Sequence, residues 1–187
     1  MAVRAAGGAA EDPAPLIVPG TLVPLAERLQ GICLGRGLTV SLAESCTGGL
    51  VAATITEVAG SSGYFLGGVV SYANEAKEAL LDVPAATLAA HGAVSAQTAR
   101  AMALGARTRF GAALAASVTG IAGPDGGSVE KPVGLVYLGL AGREGADVRR
   151  LQLTGDRQSI REGAARAALE WLIEAATQGA GPAAAPA

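Results

Sequence analysis

The nine residues Ala43 to Val51 (AESCTGGLV) place a hydroxyl, a thiol and a second hydroxyl on one strand-to-helix turn. The preceding stretch, 38–43, is apolar and β-branched enough for a buried strand, and 48–58 has the spacing of a helix. Ser45 therefore falls near a helix start, where backbone N–H groups lack intrahelical partners and favour an anion or a developing oxyanion. An alcohol there can be activated by a neighbouring base, which makes Ser45 a candidate nucleophile. Its other reading is a helix cap. Cys46 is intrinsically the better nucleophile, but its side chain points away from that of Ser45, and a buried structural thiol is the commoner case.

A nucleophilic serine needs a base, and the chain holds one histidine, His91, placed before Gly92 where a helix ends. The alternatives are Tyr72 and Lys77 in SYANEAK, which straddle a strand end and the first turn of a helix. A lysine beside a tyrosine lowers the phenol's pKa, and a desolvated lysine can itself accept the serine proton. Thr119 opens a third element, the loop Gly120-Ile-Ala-Gly-Pro-Asp-Gly-Gly127, whose glycines let backbone amides approach a ligand. It is neither a Walker loop nor a GxGxxG. Arg157, in TGDRQSIR, can reach a phosphate with a fork of donors. Ser61 and Ser62 lie in a Gly/Ser turn where their hydroxyls are available to a substrate.

The elements that must position these residues alternate along the chain. A helix from Leu22 to Ile32, closed by Gly35 and Gly37, precedes the strand 38–43. Strand 66–72 and helix 74–81 follow, with Pro84 as the stop. Ser95 caps a helix to about Phe110, and 114–119 is a strand. Strands 133–140 and 148–153 make a hairpin across Gly142 to Gly145, and Asp156 caps a last helix with an apolar stripe from Ile160 to Leu172. This pattern predicts an α/β fold: a single-domain α/β/α sandwich with a mixed sheet and helices on both faces. Residues 20–177 form the domain, and the Ala/Gly/Pro-rich stretches 1–19 and 178–187 read as flexible tails.

Composition narrows the function. Hydrophobic residues make up 50% of the 187, ample for one core, but aromatics are 3%, so the core must be closely packed Ala, Leu and Val. With net charge −2 and no basic stripe, nucleic acid is not an expected partner. Apolar runs fall well short of the roughly 20 residues that span a bilayer, and the N-terminus lacks a secretory apolar region, so no membrane and a cytoplasmic location are expected. Two cysteines and one histidine do not make a zinc site, and no metal or cofactor is expected.

AESCTGG at 43–49, GSSGYF at 60–65, SYANEAK at 71–77, HGAVS at 91–95, TGIAGPDGG at 119–127, KPVG at 131–134 and GDR at 155–157 together resemble the CinA C-terminal domain family, in its order and spacing over about residues 20 to 177. The resemblance implies a nicotinamide-nucleotide amidohydrolase, which converts the carboxamide of nicotinamide mononucleotide to a carboxylate and releases ammonia. It implies catalytic roles for Ser45 as nucleophile, Tyr72 and Lys77 as the proton-handling pair, and Thr119. It implies substrate contacts from Thr47, Gly48, Gly49, Ser61, Ser62, Asn74, Gly120, Gly123 and Arg157. Backbone amides near the Gly48 turn would hold the oxyanion, and a homo-oligomer is expected. Members of the family that carry a larger N-terminal domain have a pyrophosphatase activity expected to be absent here. Ala73 stands where many relatives have Ser, a change expected to cost little. The competing readings are a non-enzymatic nucleotide-sensing or partner-binding module, and an amidase using Cys46 and His91.

Overall fold

The computed structural model describes residues 22–178. The expected tails fall outside the described residues, save Gln178, which closes the last helix. Five strands, β1 (Val40–Glu44), β2 (Phe65–Val70), β3 (Leu114–Gly120), β4 (Leu135–Gly142) and β5 (Gly145–Gln152), form one sheet in the order β2-β1-β3-β4-β5. β1 runs parallel to β2 and β3, whereas β3/β4 and β4/β5 are antiparallel, so the sheet is mixed as expected. Gly142 pairs with Gly145, which closes the hairpin over two residues.

Six helices cover the sheet: α1 (Val23–Arg36), α2 (Leu50–Thr56), α3 (Asn74–Leu81), α4 (Ala85–His91), α5 (Ala96–Phe110) and α6 (Arg157–Gln178). Successive strand residues point to opposite faces. Val40, Leu42, Leu114, Ala116 and Val118 pack with Leu29, Val51, Ile55, Leu169 and Leu172 from α1, α2 and α6. On the other face Ala43, Ala115 and Ala141 meet Met102, Ala103 and Ala106 of α5. That second layer is built from small residues because α5 lies close to the sheet. The Ser117 and Ser41 hydroxyls donate to the Ala99 and Ala106 carbonyls at 2.6 and 3.2 Å, and a Cβ on Gly139 would come within 2.4 Å of the Ala99 oxygen. Close approach replaces bulk, which is how a core so poor in aromatics fills.

Most helix ends follow their sequence signals. Gly37 ends α1 at φ 64°, and the Ser95 hydroxyl accepts from the Thr98 N–H at the start of α5. Pro84 behaves otherwise. Asp82 ends α3 in the left-handed region, with Val83 N–H returning to the Lys77 carbonyl, and Pro84 then opens α4 as its N-cap. Pro84 starts a helix rather than stopping one.

This topology makes a crevice. β1 passes to β2 through α2 on one face, while β2 passes to β3 through α3, α4 and α5 on the other. Neighbouring strands whose following helices lie on opposite faces leave a cleft beyond their carboxyl ends, the usual ligand position in open α/β sheets. Ser45 follows β1, and Lys77 lies on the helix that follows β2.

Candidate active site

Ser45 is the first residue beyond β1, and its N–H donates to the Val118 carbonyl of β3 at 2.9 Å. The Gly48 N–H closes the turn on the Ser45 carbonyl at 3.0 Å. Gly48 and Gly49 then take φ of 62° and 96°, left-handed values that favour glycine and bend the chain into α2.

Ser45 is not the helix cap, and the amides of α2 are not free. Glu44, 1% exposed, folds its carboxylate over the helix start and accepts from the N–H groups of Gly49, Val51 and Ala52 at 2.9, 3.2 and 2.8 Å. It fills the positive helix end that the sequence offered to an oxyanion. The Thr47 carbonyl takes the Leu50 N–H. No oxygen among the described residues accepts from the N–H groups of Cys46 and Thr47 in this turn.

Lys77, on the first turn of α3, is fully buried. Its Nζ donates to the carbonyls of Ser71 and Tyr72 at 2.7 and 3.3 Å and lies 3.2 Å from Ser45 Oγ. Burial holds its pKa below the ordinary lysine value, with Cys46 acting in the opposite direction. Among the described residues no carboxylate pairs with it. The Tyr72 side chain is instead 63% exposed, and its hydroxyl accepts from Arg157 Nη2 at 3.2 Å. Tyr72 thus meets Lys77 through its carbonyl, while its phenol faces Arg157.

The remaining candidates separate. Arg157 Nη1 donates to the Gly123 carbonyl at 2.7 Å, joining the loop after β3 to Tyr72. Thr119 is buried at the end of β3, beside Gly120, with its hydroxyl donating to the Ala93 carbonyl at 2.8 Å. Thr47 and Ser71 are fully buried, and neither hydroxyl has a partner. Asn74 is exposed at the first position of α3. Ser61 and Ser62 are not brought to Ser45: they form a 3-10 turn ahead of β2, and the register Val40 to Phe65 and Glu44 to Val70 puts that turn at the opposite, amino-terminal end of the parallel strands. His91 is exposed at the end of α4, its carbonyl holding Lys131 Nζ at 2.8 Å, with no hydrogen bond to Ser45 or Cys46 among the described residues. Cys46 is 5% exposed, and burial pushes its thiol up to about 11.

Three residues escaped the sequence reading. Glu44 had a signal, an acidic side chain just ahead of a helix entry. Arg161 had another, lying one turn after Arg157; it donates to the Thr47 carbonyl at 2.7 Å. Ser71 had none, since its contribution is a backbone carbonyl. Among the described residues no group of His, Cys, Asp and Glu could hold a metal ion, and no helix is long and apolar enough to cross a membrane.

Residues 22–176 match the family model described as the CinA C-terminal domain. The chain belongs to this family. A CinA-like protein of Geobacter sulfurreducens is 63% identical over 137 residues, covering 73% of this chain and 33% of that protein. A putative competence-damage inducible protein of Symbiobacterium thermophilum is 58% identical over 143 residues, 72% of this chain and 34% of that protein. The chain thus spans about one third of the length of these curated relatives. The crystal structure of a competence/damage inducible protein from Agrobacterium tumefaciens superposes with TM-score 0.81 at 49% identity, covering 83% of this chain and 96% of that one. A CinA superfamily protein from Klebsiella pneumoniae gives TM-score 0.81 at 35% identity, with 84% and 98% covered. The mixed-sheet α/β fold is therefore the fold of this CinA domain.

Proposed function

We propose that this CinA domain is a serine amidohydrolase that deamidates nicotinamide mononucleotide, with Ser45 as nucleophile and Lys77 as its base. The observation that carries the reading is the position of Lys77 Nζ, 3.2 Å from Ser45 Oγ with two carbonyls behind it. A neutral amine has two N–H bonds and one lone pair. With its N–H bonds given to Ser71 and Tyr72, the lone pair is left for the Ser45 proton. Burial favours that form, lowering the Lys77 pKa below the ordinary lysine value.

Ser45 Oγ attacks the carboxamide carbon as its proton passes to Lys77. The tetrahedral oxyanion takes the N–H groups of Cys46 and Thr47, since those of α2 are held by Glu44. Lys77 returns the proton to the departing nitrogen, the C–N bond breaks and ammonia leaves. Water then hydrolyses the acyl-serine with the same amine as base. Tyr72 belongs to substrate binding in this scheme. The Cys46 alternative fares worse, because a thiol raised to about 11 stays protonated and His91 makes no hydrogen bond to it among the described residues.

Ammonia release from nicotinamide mononucleotide tests the reading. Ser45→Ala and Lys77→Met should each lower kcat by at least about a thousandfold. No release by the unaltered protein above a boiled control would favour a binding module instead. Full activity in Ser45→Ala would remove the assigned nucleophile.

A further inference from the structure

The parallel register carries past the strand ends. Glu44 stands beside Val70 of β2 and Val118 of β3, so Ser45 has Ser71 on one side and Thr119 on the other. The ladder bonds continue there, with the Ser71 N–H on the Glu44 carbonyl at 2.8 Å and the Ser45 N–H on that of Val118. Ala43, Val69 and Ala115 lie in the layer under α5, and side-chain alternation returns Ser45, Ser71 and Thr119 to that face. Three hydroxyls thus stand in a row on neighbouring strands, which run roughly 4.8 Å apart. Thr119 donates to the Ala93 carbonyl, and Ser45 faces Lys77 Nζ. The Ser71 hydroxyl is fully buried and meets no partner among the described residues.

A buried hydroxyl without a partner is unfavourable, and alanine would fill the place without that penalty. What serine adds is an acceptor beside the amine, for the Ser71 carbonyl already takes Lys77 Nζ at 2.7 Å and one bond rotation redirects the hydroxyl of the same residue. Lys77 has a use for it. The neutral amine has two N–H bonds, matched by the carbonyls of Ser71 and Tyr72. With the Ser45 proton it has three, while Ser45 Oγ, now bonded to the acyl carbon, accepts only weakly. Other charges near Lys77 are engaged elsewhere. Cys46 acts on it from the β1 turn, where Glu44 holds the α2 amides and Arg161 of α6 the Thr47 carbonyl. On α5, packed against α3, Arg100, Arg107 and Arg109 donate to the Ala146, Ala113 and Leu80 carbonyls. Glu75 and Glu78 of α3 itself are exposed.

We propose that the Ser71 hydroxyl is the third acceptor for protonated Lys77, a positioning residue that holds the amine while it carries the serine proton and so sets its strength as a base. The role rests on Lys77 being the base of the deamidase reading; the contact itself rests on the strand register and the buried hydroxyl. Nζ gains the Ser45 proton as Ser45 Oγ bonds to the acyl carbon, its third N–H turns to Ser71 Oγ, and the proton leaves with the departing nitrogen. A hydrogen bond made only to the charged form favours that form, so Ser71 strengthens the base.

Two measurements test the role. Lys77 and Lys131 are the lysines of the chain, so lysine labelled with 13C at Cε gives one signal for the base and one for an internal reference. Followed against pH, Ser71→Ala should lower the Lys77 titration by about one unit and leave Lys131 unmoved. Ser71→Thr, which keeps the hydroxyl, should keep the titration, and Ser71→Cys, close in volume but a weaker acceptor, should give a smaller fall if Ser71→Ala does not fold. A Lys77 titration unmoved in the alanine or cysteine variant would overturn the proposal. In the second measurement, the alkaline plateau of kcat for ammonia release should fall up to about tenfold in Ser71→Ala with KM unchanged, and its acid limb should move to lower pH. A rise in KM with kcat unchanged would overturn the role. A shifted titration with no ammonia from the unaltered protein would uphold the contact and reject the deamidase, whereas ammonia with an unshifted titration would keep the deamidase and reject the role of Ser71.

Discussion

At the scale of single residues, the site turns on one amine kept dry. In the proposed mechanism the neutral form of Lys77 is the base, so kcat/KM should rise with pH through its lowered pKa and then level off. The same burial affects stability. The folded-state pKa lies below the unfolded value of about 10.4, so between the two the unfolded chain binds more protons, and stability rises with pH by up to about 1.4 kcal/mol per unit. Below that window the cost of burying a charge is present in full. Cys33 and Cys46, both pushed up to about 11, act oppositely at alkaline pH, because the unfolded thiols ionise first. The difference between Lys77→Met and the unaltered protein isolates the lysine. Denaturant unfolding across neutral to alkaline pH should show a weaker rise in the variant, and identical slopes would mean that Lys77 is not held neutral. Ser45, Tyr72 and Lys77 were all legible as candidates, but the contrast between Tyr72 and Lys77 was not, because the exposure of a phenol and the burial of an amine five residues apart leave no mark on residue type.

At the scale of elements, glycine, serine and aspartate marked the helix ends well, as with Gly37, Ser95 and Asp156, whose carboxylate accepts from the Ser159 N–H at 2.8 Å. The start of α2 was not legible, because its cap reaches back five positions, through a two-glycine bend, to Glu44. Ala73 also changes meaning. It is the N-cap of α3 itself, extended and making no side-chain cap bond, so alanine there forgoes an interaction that serine supplies. Ala73→Ser should stabilise the protein by about 1 kcal/mol in thermal unfolding. An unchanged or lower melting temperature would show that the cap geometry is not available. Gly105 tests the packing of α5: a Cβ there would come within 2.0 Å of the Leu81 carbonyl oxygen. Gly105→Ala should therefore cost about 3 kcal/mol, read from denaturant midpoints.

At the scale of the whole molecule, alternating helices and strands with one hairpin were enough for the fold class. Strand order was not, since it depends on which buried faces meet across long crossovers. The placement of Ser61 and Ser62 shows the cost of that gap. Their hydroxyls suit a binding turn, but the direction of β2 leaves them at the amino ends of the parallel strands, whereas Ser45 lies beyond the carboxyl end of β1. One further consequence follows from the order β2-β1-β3. Ser45 follows the interior strand β1, flanked on both sides, whereas Tyr72 and Lys77 follow the edge strand β2, whose Leu66 and Val70 are 43% and 50% exposed. Edge elements open at lower free energy than interior ones. Mild denaturant should therefore detach Lys77 from Ser45 while the rest of the sheet persists. Ammonia release should fail at lower urea than the fluorescence of Trp171, the one tryptophan, which reports on α6. Coincident transitions would show that Ser45 and Lys77 separate only when the whole domain unfolds.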